Sequence, residues 1–122
     1  MVHVVIADDD EVLRYLVEQI IGILGWTFDS AVNGIQALHL IERVAPALVI
    51  SDVRMPGMNG IELLRAIKGN PRLSHIPVVL MSSGDMESEA RKAGCSAFIA
   101  KPFAIDRLLQ ILPQAVREES SG

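Results

Sequence analysis

The chain has 122 residues, a formal net charge of −4 and a single cysteine, with half of its residues hydrophobic and about a fifth charged. One compact domain is expected: area scaling leaves about 6,500 Å² exposed of about 19,000 Å² in the unfolded chain, enough burial for a core without staples. Lone Cys95 excludes an internal disulfide framework and a CxxC metal or redox site. The 11 Lys and Arg are scattered, so a direct nucleic-acid reader is excluded, and no stretch has the length of a secretory signal or a membrane span. A cytoplasmic location is expected.

In chain order, the first apolar run, His3-Val4-Val5-Ile6-Ala7, lacks polar alternation and predicts a strand covered on both faces. Val12, Leu13, Leu16, Val17, Ile20, Ile21 and Leu24 then recur as pairs every four residues. They predict an amphipathic helix ending near Gly25, with Arg14 and Glu18 facing away from the core. A weaker strand is placed at about 27–32, and a helix at about 34–44 with Ile35, Leu38 and Ile41 inward and His39 and Glu42 outward. Ala47-Leu48-Val49-Ile50 is the third strand, followed by a helix at about 60–68 carrying Ile61, Leu64 and Ile67.

Val78-Val79-Leu80-Met81 is the fourth strand, and a short helix at about 86–93 stops at Gly94. Ala97-Phe98-Ile99-Ala100 is the fifth strand. The last helix carries Ile105, Leu108, Leu109 and Leu112, with Pro113 expected to end or kink it. Strand and helix alternate strictly, and right-handed crossovers make a (βα)5 doubly wound parallel α/β sheet the economical packing. The domain is placed at 1–117, and the polar 118–122 segment reads as a disordered tail or a cloning remnant.

Ligands in such sheets bind beyond the carboxyl ends of the strands. Asp8, Asp9 and Asp10 follow the first strand there, Ser51 and Asp52 the third, Ser82 and Ser83 the fourth, and Lys101 the fifth. Asp10 reads as a helix cap. Asp8, Asp9 and Asp52 do not, because carboxylates within about 4 Å repel by about 4 kcal/mol per pair at an effective dielectric near 20. One divalent cation together with Lys101 would offset their charge of −3. Oxygen-only donors select a hard cation, and Mg²⁺, with Mn²⁺ as the alternative, suits phosphoryl chemistry. His3, His39 and His75 show no ligand spacing.

Ala7-Asp8-Asp9-Asp10, the run from Ser51 to Gly60 (SDVRMPGMNG), Ile76-Pro77-Val78-Val79-Leu80-Met81-Ser82, and Ala93-Gly94 through Ala100-Lys101-Pro102-Phe103 resemble the receiver (CheY-like) domains of two-component response regulators. The resemblance covers about residues 3–116 and implies a flavodoxin-like sheet of order 2-1-3-4-5. It implies Asp52 as phosphoacceptor; Asp9 as a direct metal ligand and Asp8 as one acting through water; the backbone carbonyl of Arg54 as a further ligand; Ser82 and Lys101 on the phosphoryl oxygens; and a cis peptide at Lys101-Pro102. It also implies Ser82 and Phe98 as switch residues that reshape the surface of the fourth helix, fifth strand and fifth helix. For Phe98, a plain core role is equally compatible with the sequence. Arg54 and Gly84 occupy positions that tune dephosphorylation.

The implied partners are a sensor histidine kinase or histidine phosphotransfer protein, and a downstream protein or a second copy bound through the switched surface. Arg107, Gln110 and Gln114 are candidate contacts there. A stand-alone regulator and a piece of a larger regulator or kinase both fit. Two alternatives stay open. One is a receiver-like scaffold that is never phosphorylated. The other is a Mg²⁺-dependent phosphatase or phosphotransferase using Asp52 as nucleophile, which is disfavoured because Arg54, two residues on, cannot serve as general acid.

Overall fold

A computed structural model describes residues 1–121, with side chains through Arg117. Five strands alternate with five helices: β1 (His3–Ala7), α1 (Glu11–Ile23), β2 (Thr27–Ala31), α2 (Gly34–Val44), β3 (Leu48–Asp52), α3 (Gly60–Lys68), β4 (Val78–Ser82), α4 (Glu87–Lys92), β5 (Ala97–Ala100) and α5 (Ile105–Ser121), with a 3₁₀ turn at Gly84–Met86 leading into α4. The strands are all parallel, in the order β2-β1-β3-β4-β5. The expectation of a tail at 118–122 falls where no side chain is described. No helix among the described residues is long and apolar enough to cross a membrane.

Alternation along the strands divides the core into two layers. Val5, Val49, Val78, Leu80 and Phe98 point to one face, against Ala37 and Ile41 of α2, Ile61, Leu64 and Ile67 of α3, and Ala90 of α4. Val4, Ile6, Leu48, Ile50, Val79, Met81 and Ile99 point to the other, against Val17, Ile20 and Ile21 of α1 and Leu108, Leu112 and Ala115 of α5. Every residue of β3 and β4 is buried, which explains their unbroken apolar runs. Each large aliphatic side chain withdrawn from water contributes about 1.5–3 kcal/mol before chain entropy is charged against it.

Local chemistry starts the first three helices. Asp10 accepts from the Val12 and Leu13 amides, Asn33 from Gln36, and Asn59 from Glu62, whose own carboxylate returns to the Asn59 amide. Three expectations are corrected. Val12 and Ile35 are exposed rather than inward, because the apolar stripe that meets the sheet is narrower than the apolar repeat. Arg14 and Glu18 do not face fully outward, their side chains being only 19% and 20% exposed. Pro113 does not end α5, which runs on to Ser121. The missing Pro113 amide forfeits one helical bond, but buried Leu108, Leu112 and Ala115 on both sides keep the helix seated.

The chain returns from β3 to α3 through a tight crossing. A Cβ at Gly60 would stand 2.3 Å from the Asp52 carbonyl oxygen and 2.9 Å from Val53 Cα, while the Gly60 amide donates to the Val53 carbonyl at 2.8 Å. Gly60→Ala is therefore expected to lower stability by about 2–4 kcal/mol, since backbone must move on both sides. Gly22→Ala, in α1 with nothing within 4 Å of the added carbon, is expected to raise it by about 0.5–1 kcal/mol. Urea unfolding of the two variants beside wild type measures both, and equal midpoints would contradict the crossing argument.

Candidate functional site

Register sets the site. Ala7 pairs with Ser51, Asp52 with Met81 and Ser82 with Ala100, so the carboxyl ends of β1, β3, β4 and β5 reach one edge together. There the Asp8, Asp9 and Asp52 side chains bring carboxylate oxygens within 4.8 Å of one another. Lys101 Nζ donates to Asp52 Oδ1 at 2.9 Å, across 49 residues of chain. The Lys101 amide also donates to the Ser82 carbonyl at 2.8 Å, and the Lys101-Pro102 peptide is cis.

Burial differs sharply within the cluster. Asp8 and Ser82 are buried and Asp52 is 5% exposed, whereas Asp9 is open to solvent. Asp8 Oδ1 accepts from the Asp10 amide at 2.9 Å. Asp8 Oδ2 and Ser82 Oγ are buried with no hydrogen-bond partner among the described residues. Burial pushes the Asp8 carboxyl up to about 6, with the neighbouring Asp52 charge adding to it and the Asp10 amide and Lys101 opposing. Buried polar atoms are normally satisfied, so two orphans beside three clustered carboxylates make this edge the candidate ligand site. All-oxygen donors of this charge fit a hard divalent cation, and a lone hydroxyl beside a lysine fits an anionic oxygen.

Arg54 follows β3 and lines, with Asp9, Met55, Pro56 and Met86, a groove at the mouth of the cluster. Its guanidinium lies 3.9 Å from Asp85 on the 3₁₀ turn, both side chains being about two-thirds exposed, so the pair contributes little to stability. Ser83 Oγ donates to Asp85, which with Arg54 holds the Asp85 carboxyl below its ordinary value. A Cβ at Gly84 would meet nothing within 4 Å. Phe98, expected either as a switch or as plain core, sits buried in the layer shared with α4. Arg107, Gln110 and Gln114 are exposed on α5. His3 is satisfied by Thr27 and Asp29, at 2.7 and 2.9 Å.

One participant escaped the sequence reading. Arg14 Nη1 donates to the Asp8 carbonyl at 2.9 Å and so touches the acidic turn itself. Its position opposite the apolar stripe of α1 concealed this, and the proximity of a basic residue to the Asp8-Asp9-Asp10 run was the only available signal.

The raised Asp8 value has a definite consequence. Between its ordinary value of 3.8 and about 6, the native state holds a proton that the unfolded chain has released. The contribution of Asp8 to the stability of the chelator-treated protein is therefore expected to fall as pH rises through that window, by on the order of 2–3 kcal/mol. Asp8→Asn is expected to remove this component and to be the more stable protein at pH 7.5, with the advantage gone below pH 4. Urea midpoints for both proteins at several pH values test it, and a constant difference between them would refute it.

A family model described as response regulator receiver domain matches residues 4–113. The polar-differentiation response regulator DivK of Brucella anthropi is 30% identical over 112 residues, covering 89% of this chain and 91% of that protein. The DNA-binding transcriptional regulator NtrC of Escherichia coli is 32% identical over 114 residues, 91% of this chain but only 24% of NtrC. Among solved structures, the receiver domain of NtrX from Brucella abortus superposes with a TM-score of 0.86 at 33% identity, over 93% of this chain and 98% of that one. Chemotaxis protein CheY4 of Vibrio cholerae does so with 0.85 at 26%, over 94% and 98%. With the strand order, the acidic edge and a match spanning nearly its whole length in agreement, the chain belongs to the response regulator receiver domain family.

Proposed function

We propose that this receiver domain accepts a phosphoryl group on Asp52 from a kinase or phosphotransfer phosphohistidine and signals by reshaping the surface of α4, β5 and α5. The observation that carries this reading is the convergence of Asp8, Asp9 and Asp52 within 4.8 Å, with Lys101 bonded to Asp52. Asp8, Asp9, Asp52 and the Arg54 carbonyl would hold Mg²⁺, or Mn²⁺ in its place. When bound, the ion supplies positive charge to the acidic cluster and to the oxygens of the transferring group.

The chain's own residues do the rest. Asp52 Oδ attacks phosphorus as the bond to the donor's imidazole nitrogen breaks, leaving an acyl phosphate on Asp52 and the electron pair on the imidazole. Lys101, already on Asp52, passes to a phosphoryl oxygen with little movement, and the unpartnered Ser82 hydroxyl gains an acceptor. Ser82 ends β4 beside β5, so its movement bears on Phe98 and the α4 packing behind that ring. The partner bound there is a downstream protein or a second copy. Arg54 and Gly84 govern the approach of water, Arg54 as a shield and Gly84 as the open side.

Wild type incubated with Mg²⁺ and acetyl phosphate is expected to gain about 80 Da, the mass of one phosphoryl group, and Asp52→Asn to gain nothing. Intact mass spectrometry reads the outcome. Absence of the increment in wild type would favour an unphosphorylated scaffold, and turnover of small phosphate esters without retained mass would favour a phosphatase. Arg54→Ala and Gly84→Glu are expected to change the half-life of the adduct, and an unchanged half-life in both would remove their assigned role.

A further inference from the structure

We infer that Arg14 is a positioning residue for the acidic site: anchored by Glu18, it holds the Asp8–Asp9 turn in place through the Asp8 backbone carbonyl. This rests on the reading of Asp8 and Asp9 as metal-holding groups. Three of the four polar atoms of Asp8 are tied. Its amide donates to the Ala31 carbonyl at 3.1 Å, its carbonyl accepts from Arg14 Nη1 at 2.9 Å, and its Oδ1 accepts from the Asp10 amide at 2.9 Å. Oδ2 alone is unpartnered and buried. An acceptor with no partner of its own keeps its direction only if the backbone around it is fixed, and among the described residues Arg14 supplies the side-chain restraint on that backbone that reaches in from a helix.

Arg14 is itself held. Its Nε lies 3.9 Å from Glu18 Oε2, one turn along α1, and the same oxygen accepts the Ser30 hydroxyl of β2 at 2.6 Å. A continuous line of polar contacts therefore runs from the edge strand through Ser30, Glu18 and Arg14 to Asp8. Both charged members are about four-fifths buried, where geometry is better defined than in an exposed pair. The guanidinium suits this place because its rigid fork can face a carboxylate and a carbonyl at once, which a single ammonium does less well. Pairing with Glu18 also cancels its charge, so it can brace the turn without adding a net cation beside a site that must attract one.

The test uses the full chain as wild type, Arg14→Met, Arg14→Lys and Ser30→Ala. Calorimetric titration with Mg²⁺, amide hydrogen exchange of the chelator-treated protein by NMR, and urea unfolding are measured on each. Arg14→Met is expected to weaken Mg²⁺ binding about tenfold and to speed exchange of the Asp10 amide by a similar factor, with Arg14→Lys recovering part of both. Ser30→Ala, which alters no charge, is expected to weaken binding about two- to threefold. The inference is overturned if Arg14→Met binds Mg²⁺ as well as or better than wild type, if Asp10 exchange is unchanged, or if exchange rises equally throughout the sheet. Failure of wild type to bind Mg²⁺ would sink the functional reading instead, and the Asp10 exchange rates would then decide the role of Arg14 by themselves.

Discussion

The contact between Lys101 and Asp52 joins the ends of β3 and β5 across the carboxyl edge of the sheet, and the other polar residues of the site are arranged around it. Three carboxylates gathered within 4.8 Å are a standing electrostatic expense, met in part by this one ammonium. Burial, which raises the Asp8 carboxyl above its ordinary value, and the unpartnered Asp8 Oδ2 and Ser82 Oγ add to it. A fold optimised for stability alone would not keep such a cluster. On the proposed reading, a divalent cation held by these groups completes the charge balance from outside the chain.

Rigidity around the cluster comes from ordinary packing. β3 and β4 are buried along their entire length, so neither Asp52 nor Ser82 can shift without disturbing one of the two core layers. The close crossing at Gly60 fixes the backbone immediately after Asp52, and the Lys101 amide ties β5 to Ser82. Phe98 lies two residues before Ala100, the register partner of Ser82, so a change at the acidic edge has a short mechanical path to α4. On the opposite side, Arg14 and Glu18 connect the acidic turn to β2. The site is thus braced from both outer strands of the sheet.

Most of the architecture was legible in the chain. Unbroken apolar runs marked strands covered on both faces, periodic stripes marked helices, and Asp10 marked the start of the first of them by local chemistry. The polar residues at the strand ends followed from the alternation itself, since a parallel sheet must bring those ends to one edge. Where the reading missed, the cause was partner-dependent. Val12 and Ile35 carry the helical repeat but lie at the margins of their stripes, and only the angle at which α1 and α2 sit on the sheet decides which margin is covered. Pro113 breaks a helix in isolation, yet burial of residues before and after it holds α5 together.

By itself, then, the sequence determined the element order, the two-layer core and the identity of the acidic, hydroxyl and amino groups at the edge, because these depend on local periodicity and on the topology that alternation imposes. Tertiary structure alone decided that Lys101 bonds Asp52, that Asp8 rather than Asp9 is the buried carboxylate, and that Arg14 turns back onto the Asp8 carbonyl. Those outcomes depend on distances between segments far apart in the chain or on opposite sides of a turn. No pattern of residue types encodes such distances until the sheet has closed around them.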